Sequence, residues 1–326
     1  MKKKVALIYG GNSSEIEISI LSGKHVAANI DKSKYEVYEI LLRGADWSLC
    51  SSDTDKPLPM AQIDKTDFSC TLDGVNIKFD VAFIMIHGTP GENGLLQGYF
   101  EMMGIPFTTC SSYVSALTFD KYSCKTFLRD TGVKMAREVY LRKGDKYDTK
   151  EIITKLGLPL FVKPSDGGSS FGITKVKKEE DLAKAISEAF SEGETVLVEE
   201  FISGREMTEG VFSSKGEIIA LPVTEIIPHN EFFDYEAKYL GKSDEVCPAS
   251  ISADTAARIE AQTRKIYHHF GCKGLVRMDY ILHGEDIYFL EINTVPGMTK
   301  MSLVPQQVRV AGIDMTEFFT TLLEEV

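Results

Sequence analysis

The chain has 326 residues, 43% hydrophobic and 26% charged, a globular composition with room for two or three domains that excludes wholesale disorder. Its formal net charge of −12 repels phosphate backbones and argues against nucleic acid as a partner, so a site for a phosphorylated ligand requires a local cluster of Lys and Arg. The six cysteines form no Cys-x-x-Cys pair and read as reduced, buried thiols of the cytoplasm, and no stretch approaches the ~20 apolar residues of a membrane span.

Met1-Lys2-Lys3-Lys4 precedes an apolar run, Val5–Tyr9, that is too short for a signal peptide and reads as a first strand. Gly10-Gly11-Asn12-Ser13-Ser14 is a turn into a helix reaching about Ile30, with Ser14 and Glu17 spaced as a capping box. Tyr35–Leu42 and Asp80–Ile86 follow as strands, the second apolar enough to be covered on both faces. The polar stretch 46–79 between them reads as a surface insertion or small hairpin. Asn93–Met103 is a short helix stopped by Gly104 and Pro106. This order predicts an open parallel sheet.

The pattern changes after Ser112. A helix from about Asp120 to Asp130 stops at Gly132, and Leu160–Lys163 pairs with Ile173–Val176 around a Gly/Ser loop. Leu182, Ala185, Ile186, Ala189 and Phe190 mark one helix face at 3,4 spacing, and Thr195–Glu200 is another strand. Met207–Phe212 and Glu217–Ile227 flank Lys215-Gly216 as a hairpin, and 228–250 is a long loop of the functional kind. A helix bearing Ile259, Ile266 and Phe270 precedes strands Gly274–Leu282 and Asp286–Asn293. Boundaries near Tyr113 and Phe201 divide the chain into 1–112, 113–200 and 201–326.

Arg277-x-Asp279 and Glu291-x-Asn293 carry the clearest chemistry. Period two puts each pair on one strand face, and a turn near Gly284-Glu285 brings Asp279 close to Glu291. Two carboxylates and an amide oxygen then face one point, a set suited to Mg²⁺ or Mn²⁺, with Arg277 able to hold an anion bidentately. Ordinary ion pairs on an exposed face are the alternative, but the apolar flanks Leu275, Val276, Met278 and Ile292 indicate a buried sheet where unpaired charge is costly. Lys163-Pro164-Ser165-Asp166-Gly167-Gly168-Ser169-Ser170-Phe171-Gly172 can cradle a phosphate with backbone amides, although it is no P-loop because its lysine precedes the glycines. Glu15 lies at the C-terminal end of the first strand, where open α/β sheets bind ligands, and is equally a first-turn acid. His87 ends another strand, where a lone His is also a common structural group. Val198–Ile202 with Glu206 looks like a hinge offering backbone groups to a base and a carboxylate to a ribose; by itself Glu206 is a surface acid.

Together these segments, with Phe119-Asp120-Lys121, Glu236–Leu240 and Glu-Ile-Asn-Thr-Val-Pro-Gly-Met-Thr from Glu291, resemble the D-alanine–D-alanine ligase family of the ATP-grasp fold nearly end to end. The resemblance implies an N-terminal open parallel α/β domain and two α+β lobes that sandwich ATP. It assigns Lys121, Lys163 and the loop residue Lys238 to ATP phosphates, and Glu199, Glu200, Phe201, Ile202 and Glu206 to the nucleoside. Asp279, Glu291 and Asn293 match ligands of two Mg²⁺ or Mn²⁺ ions, and Arg277 with the Gly297 amide matches groups that steady the acyl-phosphate and the tetrahedral oxyanion. Glu15, Ser169 and Tyr239 match a hydrogen-bonded trio over the substrates; His87 borders the first subsite, and Ser302 and Leu303 match the pocket of the second carboxylate. Asn93 departs from the family, which has Asp there, but both cap helices well.

The implied activity is ATP-dependent joining of two D-alanines through an acyl-phosphate, for peptidoglycan precursors. Closure of the 228–250 loop is expected to shield that intermediate from water. The expected partners are ATP, two molecules of D-alanine and a second copy of the chain in a cytoplasmic homodimer. D-Lactate or D-serine as second substrate is the near rival, with Tyr239 arguing for an amine over D-lactate, and a non-catalytic ATP-binding module is the distant one.

Overall fold

The computed structural model describes residues 2–52, 56–167, 172–229 and 243–326. Ser169, Lys238 and Tyr239 therefore lie outside the described residues.

Lys3–Gly10 pairs in parallel with Tyr35–Arg43 on one side and Val81–Ile84 on the other. Alternation along the first strand sends Val5, Leu7 and Tyr9 into one core and Ala6 and Ile8 into another, so the sheet is covered on both faces. Helix Ile16–Asn29 packs on the first face, and Leu95–Met103 supplies Leu96 and Phe100 to the second. Gly23 permits the close approach of the first helix, because a Cβ there would lie 2.2 Å from Tyr9 Cδ1.

Two local expectations are corrected. Stretch 46–79 is more than a surface insertion: Asp46–Cys50, Pro59–Asp64, Ser69–Leu72 and Val75–Lys78 extend the sheet antiparallel to seven strands among the described residues. Phe68, Cys70 and Ile77 from it are buried in the second core. The Ser14/Glu17 capping box does not form either. The helix begins after Glu15, with no side-chain cap, because the turn before it is committed elsewhere. Gly11 N–H donates to Leu42 O, Asn12 N–H to Thr89 O, and Ser13 Oγ to His87 O.

The middle of the chain forms a four-stranded sheet in which Leu160–Pro164 lies between Thr174–Val176 and Thr195–Glu200, with Glu138–Arg142 at the edge. Helix Glu179–Glu192 covers it with Leu182, Ala185, Ile186 and Ala189, the predicted face. Ahead of it, helix Ser112–Phe119 precedes Lys121–Leu128, which Asp120 caps by accepting from Ser123 N–H.

The last sheet centres on Arg205–Ser214, Leu275–His283 and Asp286–Asn293. The predicted strand 217–227 is broken into Glu217–Ala220 and Thr224–Pro228, both pairing with Arg205–Ser214. Part of the predicted 228–250 loop is a strand, Ser243–Val246, on Thr224–Pro228. Helix Ala253–Phe270 covers one face with Ile259, Ile266 and Phe270. All six cysteines are free thiols, five of them buried. Among the described residues no helix is long and apolar enough to cross a membrane.

Candidate active site

The three sheets meet around a cavity of about 640 Å³. Strand ends and the turns after them deliver its lining, the usual place for a site in α/β folds. Glu15 and His87 come from the N-terminal sheet, Lys121 and Lys163 from the middle, and Arg277, Glu291 and Asn293 from the last hairpin. Gly297, Ser302 and Leu303 complete the wall where helix Leu303–Val310 starts.

The hairpin has the predicted register, with Asp279 opposite Glu291 and Arg277 opposite Asn293. A bulge follows Asp279, which locally bends the pair beside the cavity. Arg277 grips Asp279 as a fork: Nε donates to Oδ1 at 2.9 Å and Nη2 to Oδ2 at 2.8 Å. Thr208 Oγ1 donates to the same Oδ1 at 2.6 Å, and Asn293 Nδ2 to Oδ2 at 3.1 Å. Asp279 is buried and sits behind Arg277. Glu291 reaches toward Lys121, at 3.8 Å. Among the described residues no group of three or more His, Cys, Asp or Glu is placed to hold a metal ion, and the hard-donor set here is two carboxylates and one amide. That set suits a divalent cation in kind. Arg277 now occupies the Asp279 oxygens that such a cation would share.

Lys121 is fixed by its surroundings. Its N–H donates to Ser165 O and its Nζ to Gly167 O, both at 2.8 Å, while Ser165 Oγ donates to Asp120 at 2.6 Å. The Phe119-Asp120-Lys121 segment is thus laced to the start of the Gly/Ser loop. Lys163 Nζ stands 2.5 Å from Glu199 Oε2, and Lys125 Nζ 2.6 Å from Glu199 Oε1. Burial alone would raise the Glu199 carboxyl; Lys163 and Lys125 override it and hold it down at about 2. Glu200 accepts from Arg137 N–H and Nε, each at 2.7 Å. Phe201 is half-buried, with Lys175 Nζ 4.0 Å above its ring, and Ile202 and Glu206 follow at the entry to the last sheet. These hinge residues stand outside the cavity lining.

His87 is a tether between elements. Nδ1 bonds Val295 O at 2.8 Å and Nε2 bonds Ser22 Oγ at 3.1 Å, while burial pushes its ring below the ordinary imidazole range against the pull of Glu15. Ser302 Oγ bonds Thr299 N–H at 3.0 Å, and a Cβ on Gly297 would approach that oxygen to 3.0 Å. The Gly297-to-Leu303 turn is therefore folded tightly on itself.

Sequence reasoning did not single out several groups at this site. Glu92 lines the cavity, accepts from Gly88 N–H and Val295 N–H, and is pushed up to about 7 by burial and then by Glu15. Glu245 lines it from the strand Ser243–Val246, and Lys125 supports it from behind. Only Glu92 had a sequence signal, its place in the His87–Gly94 turn.

The arrangement is that of an ATP-grasp ligase: two α+β lobes and an N-terminal α/β sheet around one cavity lined by cations and carboxylates. Residues 4–110 match the D-ala D-ala ligase N-terminus family and 127–324 the D-ala D-ala ligase C-terminus family. The chain is 48% identical to a D-alanine--D-alanine ligase of Parabacteroides distasonis, over 100% of this chain and 98% of that one. It is 46% identical to that of Phocaeicola vulgatus over 99% of each. Among solved structures, VanG D-Ala:D-Ser ligase from Enterococcus faecalis superposes with a TM-score of 0.87 at 33% identity, covering 99% of both chains. The Bacillus anthracis D-alanine--D-alanine ligase complexed with ATP gives 0.79 at 28%, covering 99% and 97%. The chain belongs to the D-alanine–D-alanine ligase family.

Proposed function

We propose that this chain joins two D-alanines to D-alanyl-D-alanine at the expense of ATP, through an acyl-phosphate, for peptidoglycan precursors. The observation that carries the reading is the lining of the cavity: Lys121, Lys163 and Arg277 converge on one space in a chain of net charge −12. A carboxylate attacking a γ-phosphate brings anion to anion, and such a cluster offsets that repulsion. Arg277, already oriented by Asp279, then steadies charge on the acyl-phosphate. Gly297 N–H is the donor for the tetrahedral oxyanion, and Ser302 with Leu303 N–H receives the second carboxylate at a helix N-terminus. Glu15 takes the first ammonium, and His87 shapes that subsite as a neutral tether.

Asp279, Glu291 and Asn293 would hold the divalent metal, two Mg²⁺ or Mn²⁺ in this reading, whose chemistry is to neutralise phosphate charge. Glu199, Glu200, Phe201, Ile202 and Glu206 serve the nucleoside, Glu199 through the lysines it positions. Ser169, Lys238 and Tyr239 keep the roles that the family resemblance gives them. The reading takes 1–112, 113–200 and 201–326 as the three lobes, and a cytoplasmic homodimer as the working form.

The test is phosphate release with ATP over a panel of D-amino and D-hydroxy acids, with product identified by mass. D-Alanine should give the highest kcat/KM and yield dipeptide. Preference for D-lactate, or for D-serine as in the named VanG relative, would replace the second substrate; phosphate release without any ligated product would overturn the ligase reading.

A further inference from the structure

Helix Lys121–Leu128 belongs to two parts of the molecule at once. Cys124 and Leu128 lie in the core of the last sheet, with Val276, Met278 and Phe289. Tyr122, Lys125 and Arg129 follow 3,4 spacing and reach the middle sheet instead. Tyr122 meets Tyr140 of strand Glu138–Arg142, Lys125 meets Glu138 and Glu199, and Arg129 approaches Glu138.

The tyrosine contact is a stack. The ring centroids are 4.1 Å apart and the planes 13° from parallel. Arg129 stands over the Tyr122 ring at 6.0 Å, and Arg142 over the Tyr140 ring at 5.8 Å. Both tyrosines are half-buried, and neither lines the cavity.

Strand register ties this stack to the site. Tyr140 is opposite Leu197 on the next strand, and Leu197 is opposite Lys163 on the strand beyond. Residues directly opposite share a face, so Tyr140, Leu197 and Lys163 form one row. That row lies on the face away from helix Glu179–Glu192, where Leu141, Val162, Val196 and Val198 pack. Two strand spacings put Tyr140 about 10 Å from Lys163 along it. Lys121 adjoins Tyr122 in the first helical turn. Its N–H donates to Ser165 O at 2.8 Å, and Tyr122 N–H to Ser165 Oγ at 3.3 Å.

We propose that Tyr122 and Tyr140 are positioning residues for the nucleotide: their stack places Lys121 over the row that carries Lys163, so that both ammonium groups meet one phosphate chain. The inference rests on the ATP use proposed above. Two bonds to the single residue Ser165 act as a pivot about which the start of the helix can still tilt. Lys125 anchors the helix one turn later, but through a flexible four-carbon stem that tolerates small shifts. Stacked rings supply a broad second contact that opposes both tilting and sliding, and the two guanidiniums favour the electron-rich ring faces.

The test is steady-state kinetics and direct nucleotide binding on the full chain. In Tyr140→Leu, KM for ATP and the Kd for ATP without D-alanine should rise about 3–10-fold, the size expected from losing an aromatic pair. KM for D-alanine should not change. Tyr140→Phe keeps the ring and should restore the wild-type values. Tyr122→Leu breaks the same contact from the other side and should give the same rise, and the double leucine variant no more than either alone. A wild type that binds no ATP would remove the proposed function and this inference with it. A wild type that binds ATP, with the same affinity in the leucine variants, would remove the inference alone. Both KM values rising together, or Tyr140→Phe no better than Tyr140→Leu, would also overturn it. So would leucine variants that fail to fold, since the stack would then hold the lobes together without placing Lys121.

Discussion

Lys125→Met should destabilise this protein more than any loss of an exposed charge. Lys125 Nζ lies in the interior, 2.5 Å from Glu138 Oε2, 2.6 Å from Glu199 Oε1 and 2.9 Å from Ala136 O. Methionine keeps the volume and removes the charge, leaving Glu138 with only the more distant Arg129, at 3.5 Å, and Glu199 with only Lys163. The magnitude follows from Glu199, whose carboxyl moves from 4.5 to about 2 against the opposing effect of burial. Each pKa unit is about 1.4 kcal/mol, so the ionised carboxylate is stabilised by on the order of 3 kcal/mol net of burial, and the two lysines together supply at least that. Removing one partner of a buried pair costs about 3–5 kcal/mol in general, and Lys163 remains to hold part of the charge, so ~3 kcal/mol is expected. The sign with pH is fixed. A depressed carboxyl contributes stability above its unfolded pKa and loses it as pH falls from about 4.5 toward 2, so the deficit of the variant should shrink on acidification. Urea unfolding followed by circular dichroism at neutral pH and near pH 3.5 reads both effects. A loss below ~1 kcal/mol at neutral pH, typical of exposed pairs, or a deficit that does not narrow in acid, would refute the reasoning.

Other expectations rest on single contacts. Arg277→Lys should lower kcat by about 10²-fold, because a point charge cannot keep the fork to Asp279 and still face an anion; a raised KM at normal kcat would assign Arg277 to binding alone. Glu209 is buried on Arg205–Ser214 and is pushed up to about 8 chiefly by burial. Since a raised carboxyl gives stability below its unfolded pKa and loses it as pH rises through the folded one, Glu209→Gln should gain at least ~1 kcal/mol on wild type between pH 5 and pH 8, and equal slopes would dismiss the argument. Gly23→Ala places a methyl 2.2 Å from Tyr9 Cδ1, so thermal melts should show a loss of roughly 1–3 kcal/mol, with an unchanged melt meaning that Tyr9 moves freely.

Those elements whose signal lies inside a short window were legible in the sequence. The run Val5–Tyr9, the 3,4 face of Glu179–Glu192 and the turn at Gly284 each depend on neighbours a few residues away. Strand period and a short turn were enough to set Asp279 opposite Glu291. The strands of 46–78 were not legible, because they are four to six residues long and half exposed, so their alternation is weak against their polarity. Their core residue Phe68 packs on Phe79 and Phe100, contacts that no local pattern announces. The absent capping box has the same origin, since strand ends 31 and 74 residues away claim the turn that would have served it. Lys125 is the sharpest case: it sits in a polar-looking helix, and its inward direction is set by Glu199, 74 residues further on.

An acidic chain can host an anionic substrate because its acids stand behind its cations. Glu199 holds Lys163 and Asp279 holds Arg277 from outside the cavity lining, whereas Glu291 lines the cavity itself and approaches Lys121. The backing carboxylates fix where the positive groups point, which a set of free lysines would not, since each long side chain would otherwise have to be ordered on binding. They also keep three like charges together in one small space when no anion is present. The cost is a weaker local field; in the proposed reading Asp279, Glu291 and Asn293 would hold a divalent cation, whose positive charge would offset that loss. In the proposed reading the positive groups would then act most strongly on phosphate when the acids that hold them are otherwise engaged.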